Sequence, residues 1–154
     1  MIVSLYDLPQ RTPFVDVMRE AGISIRRARA FERHQVVPWV SERFWPGWAS
    51  EVEVSFARLP ISCFVAVKEG KLLGFACYET TARGFFGPTG VDEAARGQGV
   101  GTALLMTTLR AMHVEGYAYA IIGGVGPKEF YAVTVGAVEI PDSSPGIYGD
   151  RIKP

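Results

Sequence analysis

Arg96-Gly97-Gln98-Gly99-Val100-Gly101-Thr102 stands between an apolar run that reads as a strand and a long segment with helical periodicity. No other stretch constrains the fold as much. The first amides of a helix have no internal acceptors and point out of its N-terminus, where the dipole is positive. Alternating glycines let that backbone close on an anion without a side chain between them. Such a turn gathers several hydrogen bonds to a pyrophosphate without any net basic charge. The composition agrees, because sixteen Lys and Arg balance sixteen Asp and Glu. With no net field, a nucleic-acid surface or an anionic membrane is not an expected partner.

The segments around the turn follow from periodicity. Phe85 to Val91 is a strand that Gly87-Pro88 and Gly90 should force to bulge or splay. A helix runs from about Val100 to Glu115, with Leu104, Leu105, Thr108, Leu109 and Met112 at helical spacing and Gly116 as its cap. Tyr117 to Ile122 reads as a buried strand, followed by a glycine-rich turn and a short helix at Lys128 to Val135. Strand, helix, strand is a crossover unit, so the two strands should run parallel. Upstream, Ser62 to Val67 and Leu72 to Tyr78 form a hairpin through Lys68-Glu69-Gly70-Lys71. With Glu69-Gly70 as the turn, Cys63 pairs near Ala76 and Cys77 near Ser62. The thiols then face opposite sides of the sheet and stay reduced.

The first sixty residues are less sharply patterned. Thr12 to Ala21 reads as a helix with Phe14, Val17 and Met18 on one side, and Ile23 to Ala28 as a half-exposed strand. His34 to Phe44 is a helix with Pro38 in its first turn; Pro46-Gly47 breaks it, and Ala49 to Leu59 resumes. The tail, Pro141 to Pro154, is expected to form a last strand or to contact a second copy. A length of 154 residues fits about one domain. No stretch approaches the roughly 20 apolar residues that span a bilayer, and the N-terminus lacks the marks of a signal peptide. Two cysteines make neither a disulfide framework nor a metal motif, and His34 and His113 have no partner spacing. The expectation is a cytoplasmic protein with no metal and no membrane association.

A Walker loop would need Gly-x-x-x-x-Gly-Lys-Ser/Thr, and that lysine is missing; a dinucleotide fingerprint would need Gly-x-Gly-x-x-Gly. Val91-Asp92-Glu93-Ala94-Ala95-Arg96-Gly97-Gln98-Gly99-Val100-Gly101 instead resembles the signature of the GNAT (GCN5-related N-acetyltransferase) family. Its core is Arg/Gln-x-x-Gly-x-Gly/Ala after a strand ending in Val. Phe130-Tyr131 followed by Gly136-Ala137 resembles the second motif of that family, and the resemblance spans about residues 23 to 140.

The resemblance implies an α/β (α+β) acyl-CoA N-acyltransferase fold: a single domain with a mixed central sheet, splayed at the cofactor site and flanked by helices. Residues 1–22 would be an N-terminal extension and 23–154 the acetyltransferase domain. Acetyl-CoA is the implied acyl donor. Thr89, Gly90 and Val91 would pair with its pantetheine arm, and the segment Arg96, Gly97, Gln98, Gly99, Val100, Gly101 and Thr102 would hold its pyrophosphate. Tyr131 would protonate the departing thiolate while a small-molecule or peptide amine attacks the thioester. A homodimer is also a family-level expectation. Two departures stand out. Gly124 occupies the position where many relatives carry an asparagine, and Phe85 to Thr89 offer no carboxylate as general base. Glu79, Tyr119 or water are the candidates for that base. Trp39, Phe44, Trp45 and Trp48 cluster where an acceptor-side lid is expected, and Glu51 and Glu53 read as a solvated helix face. A non-catalytic acyl-CoA-binding sensor or accessory module is the alternative to an enzyme.

Overall fold

A computed structural model describes residues 1–8 and 13–152. In it the glycine-rich turn joins strand β5 (Phe85–Val91) to helix α4 (Val100–Val114), and β6 (Tyr119–Ile122) returns parallel to β5. Four other strands complete one sheet: β1 (Ile2–Ser4), β2 (Ser24–Arg27), β3 (Cys63–Lys68) and β4 (Lys71–Tyr78). Their order is β1-β6-β5-β4-β3-β2, antiparallel at every junction except β5 with β6. The sheet is mixed, as the crossover and the hairpin require.

Two layers of helix cover it. On one face lie α1 (Pro13–Glu20), α4 and α5 (Lys128–Val135); on the other lie α2 (Arg33–Arg43) and α3 (Pro46–Ser55). Helix α4 is buried along most of its girth, including Val100, Leu104, Leu105, Met106, Leu109 and Met112. Each such side chain contributes about 1.5–3 kcal/mol by leaving water, so α4 fixes the position of the turn that starts it. In α1 only Met18 is buried, while Phe14 and Val17 stay largely exposed. Thr12, where the expected helix begins, lies outside the described residues. Helix α3 starts at Pro46 itself, because proline is tolerated in a first turn. Pro38 falls in the body of α2 and not its first turn, so one amide donor is missing there.

One expected register is wrong. Lys68 pairs with Lys71 and Val67 with Leu72, but Ala66 pairs with Gly74, leaving Leu73 as an extra residue on β4. A single bulged residue moves every later side chain to the opposite face. Cys63 and Cys77 therefore stand directly opposite one another, both fully buried on the α2/α3 face and both free. Burial holds the Cys77 thiol well above its ordinary pKa, so its reactive thiolate is disfavoured. The described tail also departs from expectation. Val138 bridges Ile2, and Gly146–Tyr148 form a short 3₁₀ turn in place of a strand. Among the described residues no helix is long and apolar enough to cross a membrane.

Candidate functional site

After β5 the chain makes a 3₁₀ turn at Glu93–Ala95, which Asp92 caps by accepting from the Ala94 amide at 3.0 Å. That bond, followed by Arg43 at 3.0 Å, holds the Asp92 carboxyl below its ordinary pKa. Gly97 and Gly99 then take φ of 75° and 84°, the left-handed region that glycine enters without strain. The polar side chains fold back on the turn: Gln98 Nε2 donates to the Ala94 carbonyl at 3.2 Å and Arg96 Nε to the Val91 carbonyl at 3.4 Å. None of the amides from Gly97 to Thr102 has an acceptor among the described residues. A Cβ on Gly97 would meet nothing within 4 Å, so the turn is open on that side. Beside it lies a hollow lined by Arg43, Phe44, Val91, Asp92, Glu93 and Arg96.

The sheet parts next to this turn. Strands β5 and β6 pair only at Phe85 with Ile121 and Phe86 with Ile122, after which Gly87 turns away with φ of 118°. Thr89, Gly90 and Val91 keep β4 on one edge, opposite Ala76, Phe75 and Gly74, and face the gap with the other. The Phe44 ring closes on the strand here; a Cβ on Gly90 would come within 2.6 Å of it. Across the gap, Gly123 and Gly124 follow β6. A Cβ on Gly123 would meet the Tyr148 hydroxyl at 2.7 Å and Phe85 at 2.8 Å. The tail thus lays an aromatic ring where a larger side chain would otherwise stand.

Tyr131 sits in α5, buried, with its ring edge-on to Phe86 at 6.3 Å and to Phe130 at 5.1 Å. Its hydroxyl has no hydrogen-bond partner among the described residues. Burial alone pushes the phenol up to about 12, so it stays protonated throughout the working range of an enzyme. Thr89, Gly90 and Val91 thus lead from the splay into the Arg96–Thr102 turn, while Tyr131 packs against Phe86 near the start of β5.

The two base candidates are engaged with other groups. Glu79 has φ of 62°, and its carboxylate accepts from the Gly84 amide, which ties it into the β4–β5 connection. Tyr119 begins β6 at the far end of that strand, half exposed against Tyr6. Glu53 pairs with Arg33 at 2.6 Å on the solvated face of α3 as expected, but Glu51 is half-buried. Helical periodicity carried that difference, because residues two apart on a helix are about 200° apart around it. Tyr148 was not legible, since only the path of the tail carries it to the gap.

A family model for GNAT acetyltransferases matches residues 16–133. The chain belongs to the GNAT acetyltransferase family. No curated protein matches its sequence. Among solved structures it is similar to a GCN5-related glucosamine N-acetyltransferase region in a fungal multi-domain β-N-acetylglucosaminidase, with a TM-score of 0.71 at 16% identity over 87% of this chain and 19% of that one. The chain thus spans about a fifth of that protein. It is also similar to a GNAT family acetyltransferase from Brucella melitensis in complex with acetyl-CoA, with a TM-score of 0.55 at 21% identity over 70% of this chain and 80% of that one. An aminoglycoside N-acetyltransferase in complex with CoA gives a TM-score of 0.58 at 16% identity, over 77% and 92%. At these identities the likeness is one of fold.

Proposed function

We propose that this GNAT chain is an acetyl-CoA-dependent N-acetyltransferase, with 23–154 as its catalytic domain and 1–22 as an extension that adds β1 to the sheet edge. The observation that carries the proposal is the run of unpaired amides from Gly97 to Thr102 at the start of a 15-residue helix. Such a run fits a pyrophosphate, since it offers several donors and a positive dipole end. The open edge of Thr89, Gly90 and Val91 fits an extended amide-bearing arm in the manner of an added strand. Arg96 and Arg43 border the adjacent hollow and suit further phosphate charge.

Acetyl-CoA, when bound, supplies an activated thioester. A neutral amine attacks it directly, so the C–N bond forms as the C–S bond breaks. Tyr131 would offer its O–H to the departing sulfur. Transfer of that proton to a thiolate of ordinary pKa near 8.5 runs uphill from a phenol at about 12. The hydroxyl therefore acts chiefly as a hydrogen-bond donor to the charge growing on sulfur, and the proton lost by nitrogen reaches the sulfur through water. The two free, buried cysteines suit a cytoplasmic enzyme. A homodimer remains the assembly that the family resemblance suggests.

Calorimetric titration with acetyl-CoA tests the reading. The protein is expected to bind, and Gly99→Val to weaken binding roughly 10- to 100-fold, since a β-branched residue resists φ of 84° and loses at least one charge-assisted hydrogen bond of about 1.5–3 kcal/mol. Equal affinity in a folded Gly99→Val protein would reduce the loop to a turn.

A further inference from the structure

The extra residue at Leu73 sets two thiols face to face. Cys63 and Cys77 are direct partners across β3 and β4, and both belong to the apolar cluster beneath α2 and α3. Directly opposed residues on antiparallel strands share a face of the sheet, so their Cβ atoms point the same way. The hydrogen bonds around them fix how close they stand. Tyr78 donates its amide to the Ser62 carbonyl at 3.1 Å, which makes Ser62 and Tyr78 a bonded pair. The Cys63 carbonyl is turned away from β4 and accepts from the Ala28 amide at 2.8 Å. Bonded and unbonded pairs alternate along an antiparallel ladder, so Cys63 and Cys77 form an unbonded pair, the kind whose Cα atoms lie only about 4.5 Å apart. A disulfide spans Cα separations of about 4.4–6.8 Å. The pair falls at the near edge of that window.

Little else holds these sulfurs. Cys63 Sγ donates one long bond, 3.6 Å, to the Phe64 carbonyl. The Ser55 hydroxyl lies near Cys77 but gives its proton to the Val52 carbonyl at 2.6 Å. Both cysteines are fully buried, in a cluster that includes Val52, Val65 and Phe75. That packing keeps out a bulky disulfide reagent, whereas hydrogen peroxide is uncharged and little larger than water. Burial, and then the neighbouring Cys63 thiol, hold the Cys77 thiol protonated, which slows attack without forbidding it. The sequence contains no other cysteine, so within one chain each is the sole partner for the other.

We propose that Cys63 and Cys77 are an oxidative modification site, which a peroxide closes into a disulfide across the hairpin while the chain stays folded. One sulfur attacks a peroxide oxygen and gives up its proton; the O–O bond breaks, water leaves and the sulfur becomes a sulfenic acid. The second sulfur attacks the first, the S–O bond breaks, and the hydroxyl departs as water with the second thiol proton. Two thiols and one hydrogen peroxide thus give one disulfide and two waters, with the peroxide as the only oxidant. The new bond ties β3 to β4 beside the irregularity between Ala76 and Tyr78, where β4 pairs with β5. It is independent of the acetyltransferase reading.

The test exposes the full chain, reduced and then freed of reductant, to an excess of hydrogen peroxide at neutral pH. Intact mass should fall by about 2 Da as two hydrogens are lost. Both thiols should disappear from a titration in denaturant, and a non-reducing digest should yield a peptide linking Cys63 to Cys77. Dithiothreitol should restore both thiols. Because the link restricts the unfolded chain, the oxidised protein should melt several degrees above the reduced one. Cys63→Ala and Cys77→Ala should each show neither the mass loss nor the link; if either variant fails to fold, the digest of the parent decides alone. Two thiols still free after exposure would overturn the proposal. So would oxidation of the sulfurs to sulfinic or sulfonic acid without a link, a disulfide formed only between chains, or a linked chain that melts no higher than the reduced one.

Discussion

At the scale of a residue, Tyr131 is where the surroundings and the chemistry are most tightly joined. Burial that raises its phenol to about 12 also keeps the O–H available as a donor at every pH the protein tolerates. Tyr131→Phe keeps the ring packed on Phe86 and Phe130 and removes only that donor. Turnover is expected to fall about 10- to 100-fold, the worth of one hydrogen bond to a charged group, with acetyl-CoA affinity little changed. A raised phenol pKa also predicts no loss of rate from Tyr131 between pH 8 and pH 10, which a steady-state pH profile would check. The glycines of the turn and Tyr131 were legible in the sequence because each acts within a short stretch of chain. Tyr148 was not, since only the path of the tail carries it beside Gly123. Gly124 was read as a lost contact; the structure adds that Tyr148 lies 3.6 Å from where its Cβ would be.

Among the elements, the crossover of β5, α4 and β6 was read correctly because apolar periodicity and glycine punctuation agree over its whole length. The hairpin was read correctly in extent but not in register, because one bulged residue leaves no composition signal. The β2 to α2 junction depends on charge. Arg26 grips Glu32 with two bonds of 2.6 and 2.8 Å, and the Arg29 amide adds a third at 2.8 Å. Arg26 first, and the Arg29 amide with it, hold the Glu32 carboxyl down to about 2, against 4.5 for an ordinary glutamate. A depressed folded-state pKa gives stability that is complete above the unfolded value and is lost as pH falls toward the folded one. The contribution, of order 1 kcal/mol after solvent screening, should be complete at pH 6 and mostly lost by pH 2. Thermal melts of the parent and Glu32→Gln across that window should differ at the upper end and converge at the lower. A constant gap would show that the carboxylate acts by packing and not by charge.

The molecule as a whole separates its site from its anchor along α4. At the C-terminal end of that helix Glu115 accepts from Tyr78 and from Arg58 at 2.9 Å, with Arg27 at 3.5 Å, so β2, β4, α4 and the segment after α3 meet on one carboxylate. Fifteen residues of helix separate this knot from the glycine turn, about 22 Å at 1.5 Å per residue. Glu115→Ala leaves two guanidinium groups and a buried phenol short of a partner. It should cost roughly 2 kcal/mol, or a fall in Tm of about 4–8 °C for a domain of this size, with acetyl-CoA affinity unchanged. A large change in affinity would mean that the two ends of α4 are coupled. The central claim, that this fold transfers acetyl groups rather than merely binding their carrier, is tested most directly by following thiol release from acetyl-CoA with and without a panel of primary amines. Amine-dependent release, with the acetylated amine recovered in equal amount and the rate reduced in Tyr131→Phe, is the predicted result. Tight acetyl-CoA binding with no amine-dependent release from any member of the panel would contradict it.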